Sequence, residues 1–545
     1  MQLETFLERN ARAWPEKTAL VCGGRRLSYA ELEGASNRLA HGLVAQGLRR
    51  GDRVAVHLDN SVEAVVAIFG VLKAGAVFMM VNPSTKTDKL LYVLNDSQAA
   101  AIILPGRKVA AHAACWNATP HLRVVIPTAS PGPEKGDKSN LPRSGLEGAS
   151  HKLDLSPFSG DKKLVGFGSL LARHAADPGP PEKRAIDVDL AALIYTSGST
   201  GNPKGVMLTH HNMVSAATSI TTYLENTPDD IVLDVLPLSF DYGLYQVLMA
   251  AQFGGCVVLE RSFAYPHAVL DRLSLERVTG LPLVPTMSAI LLQMDLGKYD
   301  LSSVRYVTNT GAALPTEHIL QLRRRLPHAR IYSMYGLTEC KRVSYLPPEQ
   351  IDARPGSVGR GMPNEEVYVV DEEGRRVGPD TVGELVVRGS NVMRGYWELP
   401  EETDRVLRPG PLPGERVLYT GDLFRTDSEG YLYFVGRRDD IIKSRGEKVS
   451  PKELENVLCA MPEVAEAAVI GVPDEILGQA IRAFVALKQG RRTTEQDVLR
   501  HCAARLEDIM VPQSVEVRES LPKSPNGKID KRALAAEEPV QGAAS

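Results

Sequence analysis

The run Leu193-Ile194-Tyr195-Thr196-Ser197-Gly198-Ser199-Thr200-Gly201-Asn202-Pro203-Lys204-Gly205 constrains this chain more than any other segment, because it feeds an apolar strand straight into a loop suited to surrounding oxygen atoms. Leu193 to Tyr195 are strand-like. Behind them come three glycines, four hydroxyl residues and one lysine, a composition that supplies backbone N–H groups, Oγ donors and a counter-charge to phosphate. In the Walker loop the lysine follows glycine and precedes Ser or Thr; here Pro203 precedes Lys204 and Gly205 follows it, so a different ATP chemistry is indicated. A flexible Ser/Gly linker is the plain alternative, but linkers are not entered from an apolar strand and left through Val206-Met207-Leu208.

The chain has 545 residues, too many for one compact core, so two or more domains are expected. Apolar residues make up 43%, charged residues 24%, and the formal net charge is −3, which leaves no basic excess for nucleic acid. Six cysteines lie far apart without a CxxC pair, so neither a disulfide framework nor a zinc site is expected and a reduced cytoplasmic location fits. No basic segment followed by an apolar core opens the sequence and no apolar stretch of spanning length follows, so no membrane span is expected.

Helical and strand patterns alternate from 29 to 125, as in an α/β layer with a mostly parallel sheet. The stretch 128–163 is rich in Pro, Gly, Ser and Lys and reads as a surface insertion. The α/β pattern resumes over 231–335, and 365–434 reads as a β-rich subdomain with a turn at Asp371-Glu372-Glu373-Gly374. A boundary is expected at 436–440. Beyond it, Ser450-Pro451 opens a helix to Cys459, and strands follow at 464–471 and 483–487. The expected division is an N-terminal domain over 1–436 and a small α+β lid over 437–545, with a disordered tail at 535–545.

Five further motifs occur in order: Asn309-Thr310-Gly311-Ala312-Ala313-Leu314-Pro315, Tyr335-Gly336-Leu337-Thr338-Glu339, Tyr419-Thr420-Gly421-Asp422, Gly436-Arg437-Arg438-Asp439-Asp440 and Pro525-Asn526-Gly527-Lys528-Ile529-Asp530. With the loop at 196–204 they make nearly the whole chain resemble the adenylate-forming superfamily of acyl-CoA synthetases, peptide-synthetase adenylation domains and firefly luciferase. The resemblance implies a large multi-layer α/β domain and a lid. It also implies a ligase dependent on ATP and Mg2+, which adenylates a carboxylic acid and passes the acyl group to a phosphopantetheine thiol.

By that resemblance, Thr196, Ser197, Gly198, Ser199, Thr200, Gly201 and Lys204 hold the β and γ phosphates. Gly311, Ala312, Tyr335 and Gly336 contact the nucleotide. Thr338 and Glu339 sit by the α-phosphate and the metal, although a loop carboxylate is also commonly just solvated. Asp422 can accept both ribose hydroxyls, with Arg437 as the matching contact or, alternatively, as part of an exposed ion-pair cluster. Lys528 stabilises the charge developing between carboxylate and α-phosphate. Asp439 matches the hinge on which the lid turns, and Lys443 and Gly446 match the segment lining the thiol's path.

The acid pocket departs from the commonest pattern. In Leu236-Pro237-Leu238-Ser239-Phe240-Asp241-Tyr242-Gly243-Leu244-Tyr245, Phe240 replaces the His that many acyl-CoA synthetases carry, and Asp241 falls where amino-acid-activating relatives place an ammonium anchor. A buried lone carboxylate is costly, so an amino or imino acid would explain Asp241; a helix cap would explain it equally, and Tyr245 would restrict a large side chain. The acceptor is CoA or a separate acyl or peptidyl carrier protein. A luciferase-like monooxygenase and a binding-only pseudoenzyme are the rival readings.

Overall fold

The computed structural model describes residues 1–129, 162–176, 179–196, 203–312, 314–444, 447–474, 477–524 and 527–537. Ser197, Gly198, Ser199, Thr200, Gly201, Ala313, Gly446, the core of the expected insertion at 130–161 and the tail at 538–545 lie outside these residues. The chain forms two compact units. One comprises Met1–Ala264, Thr338–Lys341 and Ser390–Asp404; the other comprises Tyr265–Leu337, Arg342–Gly389 and Arg405–Ser545.

In the first unit an eight-stranded sheet runs in the order Gly395–Tyr396, Lys204–Thr209, Leu190–Thr196, Val77–Met80, Arg53–Val56, Ala101–Pro105, Val124–Thr128, Lys163–Leu164. From Leu190–Thr196 to Lys163–Leu164 all neighbours are parallel. Their near-continuous apolar runs fit a sheet covered on both faces. Ile102, Leu104, Met79, Val93 and Trp116 form one of its cores. The helix Tyr29–Ala45 starts where Ser28 and Glu31 form a reciprocal cap. A second group of strands pairs Ile231–Asp234 with Cys256–Leu259 and Cys256–Leu259 with Thr18–Cys22, in parallel.

In the second unit Gly280–Leu283, Tyr306–Asn309 and Arg330–Tyr335 are parallel neighbours. A five-stranded antiparallel sheet built from Glu365–Val370, Gly383–Gly389, Arg416–Thr426, Leu407–Pro409 and Leu432–Arg437 covers the region where a β-rich subdomain is expected. The C-terminal segment has its own sheet, in which Val464–Asp474 and Gly478–Leu487 form the longest antiparallel pair. The helix Pro451–Cys459 begins at Ser450, whose Oγ accepts the Glu453 N–H at 3.4 Å, and it buries Leu454 and Leu458 against Val469 and Val485. The helix Lys531–Ala536 corrects the expectation of disorder at Ala535 and Ala536. Asp530 caps it at Arg532 and Ala533, and Leu534 is buried against Phe484.

The fold is therefore mixed α/β, with a large N-terminal domain and a smaller C-terminal one. No helix among the described residues is long and apolar enough to cross a membrane.

Candidate active site

Leu190–Thr196 and Lys204–Thr209 form an antiparallel pair in which Thr196 stands opposite Lys204, so the two ends of the phosphate-binding run are brought together. Asp96 braces both. Its Oδ2 accepts the Tyr195 hydroxyl at 2.5 Å, and its backbone carbonyl accepts Trp397 Nε1 at 3.0 Å. The Tyr92 hydroxyl donates to the Pro203 carbonyl at 3.2 Å. Burial, reinforced by Asp96, pushes the Tyr195 hydroxyl far above its usual pKa, so it stays a donor. Gly205 is closely packed here, and a Cβ would lie 3.2 Å from the Tyr195 ring and 3.3 Å from Trp397 Cβ, so a larger residue would make these neighbours shift.

Lys204 Nζ pairs with Glu402 Oε2 at 2.7 Å and lies 5.3 Å from the centre of the Tyr396 ring. The Tyr396 hydroxyl donates to Glu339 Oε1 at 2.7 Å. Gly395–Tyr396 makes this arrangement by pairing with Lys204–Thr209, while the Met393 N–H donates to the Glu339 carbonyl at 2.7 Å. Burial and the Glu339 charge raise the Tyr396 pKa, which keeps its proton on the shared hydrogen bond. Lys204 and Glu339 thus enter one network with Thr338 next to it in sequence. Glu402 and Tyr396 went unnoticed in the sequence; the available signal was the run Gly395-Tyr396-Trp397, whose aromatic pair stands beside strand-forming residues.

Phe240 is the N-cap residue of the helix Asp241–Phe253, without a side-chain cap bond, and Asp241 lies in its first turn. The carboxylate is not alone. Lys341 Nζ lies 3.5 Å from Asp241 Oδ2 and donates to the Asp241 carbonyl at 2.9 Å. It also lies 4.6 Å from the centre of the Tyr245 ring and 5.4 Å from that of Tyr242. Of the two readings of Asp241, the helix cap is corrected, since Phe240 holds the N-cap position, and the carboxylate needs no substrate amine as counter-ion, because Lys341, only two residues after Glu339, supplies one from within the chain.

The second unit gathers a separate set. The Tyr335 hydroxyl donates to Asp422 Oδ2 at 2.6 Å, and its ring packs against Phe424 and Phe434 with centroids 4.8 and 6.2 Å away. Asp422 and Arg437 are register partners across two strands, with Arg437 Nε 3.8 Å from Asp422 Oδ1. Gly336 follows Tyr335 at the end of its strand. Gly311 has φ +88° just after Tyr306–Asn309, followed by exposed Ala312. Asp439 is exposed in the turn after Leu432–Arg437, where the Asp440 and Ile441 N–H groups both donate to the Arg437 carbonyl. Lys443 is exposed in the strand Ile442–Ser444. Lys528 is half-buried in a loop closed by Ser524, whose carbonyl accepts the Gly527 N–H at 2.9 Å and whose own N–H donates to the Lys528 carbonyl at 2.7 Å. Gly527, at φ +74°, lies against Thr286, where a Cβ would come within 3.4 Å of Oγ1.

The family described as AMP-binding enzyme matches residues 7–397, and the AMP-binding enzyme C-terminal domain matches residues 453–528. The chain belongs to this family, within the adenylate-forming superfamily. It is similar to a long-chain-fatty-acid–CoA ligase of Bacillus subtilis, 31% identical over 98% of this chain and 94% of the relative. It is also similar to a feruloyl-CoA synthase of Amycolatopsis, 34% identical over 96% of each. Its fold matches that of an anthranilate CoA ligase solved with anthranoyl-AMP, with TM-score 0.85, 25% identity and coverage of 98% and 97% of the two chains. The enzyme is an AMP-forming acid–thiol ligase.

Proposed function

We propose that this enzyme activates a small carboxylic acid with ATP, releasing pyrophosphate and forming an acyl adenylate, and then transfers the acyl group to the thiol of coenzyme A. The observation carrying this reading is the network of Lys204, Glu402, Tyr396 and Glu339 at the ends of the phosphate-binding run. It holds a cation and a carboxylate ready at the one place where the sequence demands both. The names of the relatives favour an acid and CoA over an amino acid and a carrier protein, and the internal pairing of Asp241 removes the main argument for an amine-bearing substrate.

In this reading Lys204 exchanges Glu402 for the β and γ phosphates, and Thr196 offers its hydroxyl beside it. Asp422, oriented by Tyr335, accepts the ribose hydroxyls, with Arg437 alongside. Lys528 brings positive charge to the oxygen joining carboxylate and α-phosphorus as negative charge builds there. Asp439 is the hinge that exchanges Lys528 for the Lys443 segment, beside which the thiol enters.

No cluster of three or more His, Cys, Asp or Glu side chains that could hold a metal occurs among the described residues. A magnesium ion held largely by phosphates and water needs only a carboxylate such as Glu339, so the residues fit it. When bound, it would neutralise the departing pyrophosphate. All six cysteines are free and buried, in keeping with a reducing compartment such as the cytoplasm.

The test is pyrophosphate release across fatty, aryl and amino acids, with CoA present or absent, followed by identification of the thioester. Acid-dependent release and an acyl-CoA product are expected. Release without any acyl-CoA, or none with any acid, overturns the proposal.

A further inference from the structure

A primary ammonium enclosed by a carboxylate and two aromatic faces is the arrangement by which proteins recognise amines. Here the ammonium belongs to the protein. The Lys341 and Asp241 side chains are 2% and 11% exposed, and Asp241 and Tyr245, one helical turn apart, present themselves on the same side of Asp241–Phe253. Lys341 holds this position at φ +66°, a backbone conformation that a lysine rarely adopts and that persists only where the surroundings enforce it. Asp241 is the carboxylate paired with Lys341, its Oδ2 lying 3.5 Å from Nζ and its backbone carbonyl accepting from Nζ at 2.9 Å.

We propose that Lys341 is a built-in ammonium that fills the cation site of Asp241, Tyr242 and Tyr245 and thereby confines the enzyme to acids with no amine beside the carboxylate. The inference rests on the reading that the 236–245 segment meets the acid. A substrate amine would have to displace a tethered cation already desolvated in that site, whereas an acid without one leaves the pair intact. Lys341 is a specificity-determining residue in this account, and Asp241 serves the lysine and not the substrate.

The experiment compares pyrophosphate release from 3-phenylpropanoate against phenylalanine and from hexanoate against 2-aminohexanoate, in the wild type and in Lys341→Ala. The wild type should favour the acid without the amine by about a hundredfold in kcat/KM, and the variant should shift that ratio toward the amino acid by about tenfold or more. Ethylammonium chloride should raise the melting temperature of Lys341→Ala above that in equal sodium chloride, and should leave the wild type and Asp241→Asn/Lys341→Ala unaffected. Should the alanine variant fail to fold, Lys341→Gly, whose residue type suits φ +66°, carries the same measurements. A wild type that prefers the amino acids overturns the proposal, as does a folded variant with an unchanged ratio and no response to ethylammonium. A response to ethylammonium without pyrophosphate release from any acid upholds the cation site and overturns the ligase reading instead.

Discussion

The functional charges of the first unit and those of the segment after Gly436 are held in opposite ways. Lys204, Glu339, Asp241 and Lys341 each have a partner within the chain, and Lys204 is only 15% exposed. Arg437 is 65% exposed, while Asp439 and Lys443 lie at the surface on a turn and a short strand. Desolvated, paired charges define a fixed geometry, because moving either member leaves the other buried and alone. Surface charges on short elements cost little to move. The difference suits the proposed roles, which ask for fixed charges at the ends of the phosphate-binding run and at Asp241 and for charges that move at little cost on the elements after Gly436.

The most severe test of this contrast is Lys528→Ala. Loss of one charge contact in the transition state should slow pyrophosphate release by about 10² to 10³, or about 3 to 4 kcal/mol, with the melting temperature and ATP affinity retained. A large fall in melting temperature would show that Lys528 belongs with the structural charges after all.

Asp439→Pro should follow, since proline fixes its own φ and restricts Arg438 before it. Acyl adenylate should accumulate while thioester formation falls by about 10², the scale of a misplaced reacting group. Equal loss of both steps, read by trapping the adenylate, would remove the hinge from this turn.

Stability against pH probes the buried side of the comparison. Burial lowers the pKa of His57, His210 and His318 from 6.5 to about 4, and His210 Nδ1 accepts the Leu3 N–H at 3.2 Å, as a neutral ring does. Above 6.5 these rings are neutral both folded and unfolded. Between 6.5 and about 4 the unfolded chain takes up the protons first, so each histidine should reduce stability by about 1.4 kcal/mol per pH unit as pH falls. Urea unfolding of His57→Gln and His210→Gln should show a flatter acid slope than the wild type; an unchanged slope would mean the acid loss comes from elsewhere.

The smallest effect is expected for Tyr396→Phe, which removes the hydrogen bond to Glu339 and nothing else of the ring. About 1.5 kcal/mol, or roughly tenfold, should appear as a higher magnesium requirement for pyrophosphate release. A variant with the wild-type requirement would place Tyr396 outside the metal-binding role.

What the sequence determined by itself is whatever a short stretch of chain encodes. Ser450-Pro451 opening a helix to Cys459, the strand after Val464 and the β-rich region around 365–434 all occur as read, because capping, alternation and turn chemistry act within a few residues. The motifs likewise place Thr196 beside Lys204 and Asp422 beside Arg437, each pair following from one hairpin or strand pairing. Only the tertiary structure decided which charge answers which. Glu402 for Lys204, Tyr396 for Glu339 and Lys341 for Asp241 come from segments remote in the chain, and no periodicity announces them. Asp241 shows the consequence most clearly. Read along the chain it is either a carboxylate in need of an amine or a helix cap, and folding answers it with Lys341, because a buried charge is stabilised by proximity in space and not by its neighbours in sequence.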